Sequence, residues 1–167
     1  MKWIAIAGSW RFITWQLLLD VKNEVAGILK KGNSIITGGA LGVDYQATQL
    51  VLKKDQNLSR LKVFLPTNLQ LYLDHYYRQA SQGVINHKQA DMLNSQLRLI
   101  NQINPEVIIS GNHRTINRRT YYLRNKSVVD AASELIAFQV NSSLGTQHAI
   151  NYAKKLNKPT KVFKYLT

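Results

Sequence analysis

Four short segments of this chain carry residue types suited to holding an anion. Gly8-Ser9-Trp10-Arg11 joins a glycine, which lets backbone amides come close to a ligand, to a hydroxyl and a planar guanidinium fork for phosphate or carboxylate. Thr37-Gly38-Gly39-Ala40-Leu41-Gly42-Val43-Asp44 sets three glycines in five positions ahead of a helical pattern. That arrangement suits a phosphate cradle of free N–H groups at the positive end of a helix, and equally a tight turn with an acidic cap. Asp44 falls in the first helical turn, where a carboxylate suits the dipole. It reads first as a cap, and it also has the chemistry of a base or a ribose hydrogen-bonding group. Asn141-Ser142-Ser143-Leu144-Gly145-Thr146 repeats the device before a second helical pattern, with more hydroxyls than a capping turn requires. The fourth segment is basic: His113, Arg114, Arg118, Arg119, Arg124 and Lys126 lie between Gly111 and Lys126, and no carboxylate occurs between Glu106 and Asp130. Such a run holds a phosphate or a nucleic-acid backbone, or forms a solvated helix face. Tyr121 and Tyr122 beside it have the shape to stack on bases.

Other chemistry is thinly represented. The glycine loop is neither a Walker A loop, for want of Gly-Lys-Ser/Thr, nor the strictly spaced dinucleotide fingerprint. His75, His87, His113 and His148 show no metal-binding spacing with carboxylates. Ser9, Ser142 and Ser143 lack a nucleophile-elbow context. The absence of cysteine excludes a disulfide framework, a thiolate zinc site and a cysteine nucleophile. No metal and no required cofactor are expected; a nucleotide or another phosphate-containing ligand is.

These segments depend on the elements between them. Short runs rich in Ile, Val, Leu and Phe occur at Trp3–Ala7, Ser34–Thr37, Leu61–Leu65, Val107–Ile109, Leu135–Phe138 and Thr160–Phe163. They are nearly continuous, as strands buried on both faces of a parallel sheet require. Helical spacing fills the gaps. Leu17, Val21, Val25, Ile28 and Leu29 mark a helix over Thr14–Lys31, stopped by Gly32-Asn33. A second helix covers Val43–Lys54. The connection from Pro66 to Pro105 carries two stripes, Leu69/Tyr72/Tyr76/Ala80 and Ala90/Leu93/Leu97/Ile100, on either side of Gly83. Further helices are predicted at Arg118–Ala132 and Thr146–Leu156.

Alternation of strand and helix predicts an α/β fold: an open, mainly parallel, doubly wound Rossmann-like sheet of about six strands with helices on both faces. One domain is expected over residues 1–167, with residues 66–105 as a helical connection. In such sheets ligands bind beyond the carboxyl ends of the strands, where the strand order switches. All four anion-suited segments follow strands.

The chain has 167 residues, and 22 Lys+Arg against 9 Asp+Glu give it a formal charge of +13. A 45% hydrophobic share excludes a disordered basic tail. The charge favours a phosphate-bearing partner. No apolar run is long enough for a transmembrane helix, and Met1–Gly8 is too short an apolar run for a secretory signal, so the expectation is a cytoplasmic protein without membrane contact.

Taken together, Gly8-Ser9-x-Arg11, Gly38-Gly39-Ala40-x-Gly42-Val43-Asp44, Arg124-Asn125-Lys126 and Ser142-Ser143-Leu144-Gly145-Thr146 resemble a Rossmann-like superfamily. That superfamily joins the DNA-processing protein A family to the "Lonely guy" phosphoribohydrolases. The likeness to the DNA-processing branch implies single-stranded DNA binding and a homodimer. By the same likeness Arg11, Gly38, Gly39, Arg124, Asn125, Ser142 and Ser143 line an anion pocket. The phosphoribohydrolase branch cleaves the N-glycosidic bond of nucleoside monophosphates with a Pro-Gly-Gly-x-Gly-Thr-x-x-Glu motif. Here Gly145-Thr146 match that motif, Asn141-Ser142-Ser143 replace its start, and Ala149 stands at the glutamate position. A methyl group cannot stabilise the positive charge that develops on ribose, so binding without catalysis is expected. The alternatives are a nucleotide-derivative hydrolase, and a nucleotide sensor that acts through a protein partner docked on the tyrosine-rich connection.

Overall fold

The computed structural model describes residues 1–167. Its strands are β1 (Trp3–Gly8), β2 (Ser34–Thr37), β3 (Leu61–Leu65), β4 (Ile108–Ser110), β5 (Glu134–Val140) and β6 (Thr160–Tyr165). Its helices are α1 (Trp15–Lys30), α2 (Val43–Lys54), α3 (Leu69–Ser81), α4 (His87–Ile103), α5 (Arg118–Ala131) and α6 (Leu144–Lys155). The strands form one sheet in the order β4-β3-β2-β1-β5-β6, with every neighbouring pair parallel. This is the expected Rossmann-like α/β fold.

The strand sequences explain how the two faces are covered. Ile4 and Ile6 of β1 turn to one face and join a core built with α1, α2, α3 and α4. Ala5 turns to the other and joins a smaller core with Val128, Val129, Ala149, Ile150 and Ala153 of α5 and α6. Period-two alternation of apolar residues thus gives each face its own layer. The small residues on the second face, Ala5 and Ala137 among them, let α5 and α6 lie close to the sheet.

Helix starts follow local chemistry. Thr14 caps α1 by accepting from the Leu17 amide at 3.2 Å, and Asn68 caps α3. Asn117 and Thr120 form a reciprocal capping box that opens α5 at the expected residue. Several boundaries differ from the sequence reading. A 3-10 turn over Pro105–Val107 delays β4 to Ile108, because Asn104 caps that turn. β5 runs on to Val140, so Ser143 takes the N-cap position and α6 begins at Leu144 rather than Thr146. No helix is long and apolar enough to cross a membrane.

The strand order reverses beside β1. From β1 the chain steps through β2, β3 and β4 in one direction, then returns to place β5 on the other side. Gly8, the last residue of β1, lies level with Phe138 of β5. The loops after β1 and β5 therefore leave the sheet side by side, at the switch point.

Candidate functional site

A cleft of about 860 Å³ opens at this switch point. Its walls come from every segment singled out above. The loop after β1 contributes Gly8, Ser9 and Arg11; the loop after β2 contributes Gly38, Ala40 and Asp44. Arg118, Arg124 and Asn125 enter from α5, and Ser143, Gly145 and Thr146 from the start of α6. Ile6, Ile116, Val128 and Ala149 supply apolar wall. The volume falls within the range of small-molecule sites.

Gly38 is the hub of the β2 loop. Its N–H donates to Asp44 Oδ2 at 3.0 Å, and the Ala40 N–H reaches the same oxygen at 3.3 Å. Its carbonyl oxygen accepts from Arg124 Nη1. A Cβ at Gly38 would meet the Arg124 guanidinium, which would have to shift to admit it. Next along the loop, the Gly39 carbonyl accepts from Tyr72 Oη at 3.0 Å. Gly42 has φ 72°, and a Cβ there would strike the Ser9 carbonyl. The Val43 amide donates to that same Ser9 oxygen at 3.0 Å, which ties the first two loops together.

This arrangement bears on two expectations. Within the Gly38–Gly42 loop, the Gly38 and Ala40 N–H groups are taken by Asp44 and are closed to a ligand. Asp44 does not cap α2, whose N-cap is Gly42 without a side-chain bond; its carboxylate folds back over the loop instead.

Free amides lie at α6. Gln147 makes the first intrahelical bond, to the Ser143 carbonyl, while the Ser143 amide closes the turn on Val140. The amides of Leu144, Gly145 and Thr146 precede that first bond, at the positive end of a twelve-residue helix. Ser143 Oγ and Thr146 Oγ1 stand 2.9 Å apart beside them, and Asn125 Nδ2 holds the Gly145 carbonyl at 3.3 Å.

The site is electrostatically divided. Arg124 is 8% exposed, with its guanidinium 5.4 Å from the Tyr121 ring centre. Burial works against its charge, but Tyr72, Asp44 and Tyr121 more than restore it, and its pKa lies above the usual arginine value. Asp44 is 7% exposed and is the one carboxylate in the cleft wall. Burial pushes its carboxyl up to about 6, against the pull of Arg124 and of the Ala40 and Gly38 amides. Arg11 is exposed at the mouth, stacked 4.5 Å from the Trp10 ring centre, with Phe12 half exposed beside it.

Some predicted residues fall outside the cleft. Gly39 faces the core, where a Cβ would meet Leu65 and Val63 at 2.7 and 2.8 Å. Gly42 serves the contact between loops, and Ser142 is an exposed turn residue with φ 54°. Arg114 is exposed and does not line the cleft. Arg119 and Lys126 line a separate shallow groove with Arg118, Tyr122, Leu123 and His148. There the Tyr122 and His148 rings stack at 4.1 Å. Arg118 and Tyr122 border both depressions.

The long connection supplies what the sequence reading missed. Tyr72 and Tyr76 are buried, so this stripe faces the protein interior. Their hydroxyls stand 3.3 Å apart, and Tyr76, His75, Gln79 and Ile85 form one wall of the cleft. His75 Nε2 lies 3.2 Å from Tyr121 Oη, and burial, then Arg78, lowers its pKa. The helical stripe Tyr72/Tyr76 signalled burial; nothing in sequence signalled that Tyr72 reaches the loop after β2.

No family model matches the sequence, and no curated protein matches it. Solved structures do share its fold. One is DNA processing protein A from Helicobacter pylori, described for its single-stranded DNA binding mode. It aligns with a TM-score of 0.68 and 19% identity, over 96% of this chain and 64% of that one. The molybdenum cofactor binding protein of the phototrophic bacterium Rippkaea orientalis aligns with a TM-score of 0.62 and 20% identity, over 98% of this chain and 77% of the other. DNA processing protein A from Streptococcus pneumoniae gives a TM-score of 0.50 and 15% identity, over 95% and 58%. The chain thus spans less than two thirds of either DNA processing protein. These likenesses place it in the Rossmann-like fold class that the sequence motifs pointed to.

Proposed function

We propose that this chain binds the phosphate of a nucleotide, free or within a single-stranded nucleic acid, at the amino terminus of α6. The observation that carries this reading is the set of Leu144, Gly145 and Thr146 amides without an intrahelical acceptor, opening with the Ser143 and Thr146 hydroxyls on a cleft that also holds Arg118 and Arg124. Arg11 and Arg118 stand at the rim, where they attract the anion, and Arg124 holds the floor. The apolar wall and the aromatic residues of the mouth suit a base. The net charge of +13 and the fold shared with a protein described as binding single-stranded DNA point the same way.

Calorimetric titration with nucleoside monophosphates, beside filter binding of single-stranded DNA at several salt concentrations, tests the reading. Binding of either ligand that weakens about tenfold or more in Arg124→Ala supports it. For DNA, log K should fall linearly with log salt concentration, because phosphate contacts release counterions. No binding of either ligand at low salt sinks the proposal. Assaying the same monophosphates for released base tests the hydrolase alternative, for which Ala149 offers no carboxylate.

A further inference from the structure

Resting on that reading, we propose that Asp44 recognises the sugar, its Oδ1 accepting from the 2′-hydroxyl, so that the cleft selects ribonucleotides over 2′-deoxyribonucleotides. Asp44 offers two oxygens of different standing. Oδ2 is occupied by the Gly38 and Ala40 amides. Oδ1 has no protein partner, although the residue lies more than nine-tenths buried in the cleft wall. Holding the loop needs only one acceptor oxygen. The second is left for whatever occupies the cleft, and an acceptor in that position asks for a donor. A nucleotide brings strong donors in its sugar hydroxyls.

Placement in the sheet agrees with this. The phosphate end of the cleft lies beyond β5 and Asp44 lies beyond β2, with β1 between them. Neighbouring strands are about 4.8 Å apart, so the two ends stand on the order of 10 Å from each other. A ribose 5′-phosphate, aided by the reach of the side chains, spans such a gap with its phosphate on α6 and its hydroxyls toward Asp44. The reverse orientation would bring the phosphate against the carboxylate. A continuing DNA strand would meet the same repulsion and offers no 2′-hydroxyl, so the favoured ligand is a free ribonucleotide.

Binding of AMP, GMP and their 2′-deoxy forms to the wild type and to Asp44→Asn, measured by calorimetry, tests the idea. Asparagine can keep its oxygen on the two loop amides and turn its NH₂ toward the ligand, removing only the acceptor. The wild type should prefer each ribonucleotide about ten- to hundredfold, the worth of one hydrogen bond to a charged group. Asp44→Asn should shrink that ratio below about threefold. Equal wild-type affinity for the ribo and deoxy forms overturns the inference while leaving phosphate binding intact. Discrimination between adenine and guanine that ignores the sugar also overturns it, since Asp44 would then be contacting the base. Failure of every nucleotide to bind overturns the phosphate reading together with this one.

Discussion

Asp44 and Arg124 grip the same residue from opposite sides: the carboxylate takes the Gly38 N–H at 3.0 Å, and the guanidinium donates to the Gly38 carbonyl. One side chain comes from α2 on one face of the sheet, the other from α5 on the opposite face. The two charges do not form a direct ion pair; the ion pairs of the chain are Lys2–Glu134, Arg60–Asp55 and Lys161–Glu24. They act through the backbone between them, so the β2 loop and both helices share one geometry.

Gly38→Ala should therefore loosen the whole assembly. The added methyl group overlaps the Arg124 guanidinium, which must leave the Gly38 carbonyl to make room. Overpacking of this kind costs about 1–3 kcal/mol. The expected outcome is a lower urea midpoint and at least a tenfold loss of nucleotide affinity. Unchanged values of both would show that Arg124 can leave Gly38 freely.

Arg124→Ala should weaken ligand binding far more than Lys54→Ala. Lys54 is an exposed residue at the end of α2, whereas Arg124 is a buried cation in the cleft wall. Losing Arg124 also leaves Asp44 buried without its compensating charge, for which about 3 kcal/mol of stability is the expected loss. Titration and denaturation of both variants check this. Equal effects on affinity would indicate a diffuse positive field rather than a pocket.

The fold was readable because each layer leaves a periodic trace. The continuous apolar runs became six parallel strands, and the Leu17/Val21/Val25/Ile28 stripe became the buried face of α1. Three of the four loops were also legible, since glycine and hydroxyl residues cluster after the strands. The bonding inside them was not. Whether the Gly38 amide serves a ligand or Asp44 depends on a side chain six residues away turning back, and no spacing rule records that. The basic run shows the same limit: Arg124 is buried while Arg119 on the same helix is exposed, because helical phase and packing sort arginines that look alike in sequence.

Lys158 offers a test remote from the cleft. Its ammonium donates to the carbonyls of Val129, Asp130 and Ala132 at 2.7, 2.9 and 2.7 Å, closing the carboxyl end of α5. Lys158→Met keeps the aliphatic stem and removes all three bonds. A cost of about 1–3 kcal/mol is expected, the range for losing hydrogen bonds to a charged group. Chemical denaturation should register it with nucleotide affinity unchanged. A wild-type midpoint would mean that the α5 carbonyls are satisfied as well by water.

The raised pKa of Asp44 makes the stability of the chain depend on pH in a direction unusual for a carboxylate. An ordinary aspartate has a pKa near 3.8, and burial carries Asp44 to about 6 in the folded chain. Between these values the folded state binds more protons at this position than the unfolded state. Stability from this group is thus complete below about pH 4 and is lost as pH rises through 6. Two pKa units correspond to about 3 kcal/mol. Asp44→Asn never ionises and keeps an oxygen for the Gly38 and Ala40 amides, so it escapes this cost. The variant should be more stable than the wild type by about 1–3 kcal/mol at pH 7.5, and the difference should vanish toward pH 4. Urea denaturation of the two proteins at pH 4, 5, 6 and 7.5 measures it, with all other groups cancelling in the comparison. A difference independent of pH would mean that Asp44 titrates alike in both states. A variant less stable at neutral pH would mean that the charge on Asp44 is held by Arg124 more strongly than burial opposes it.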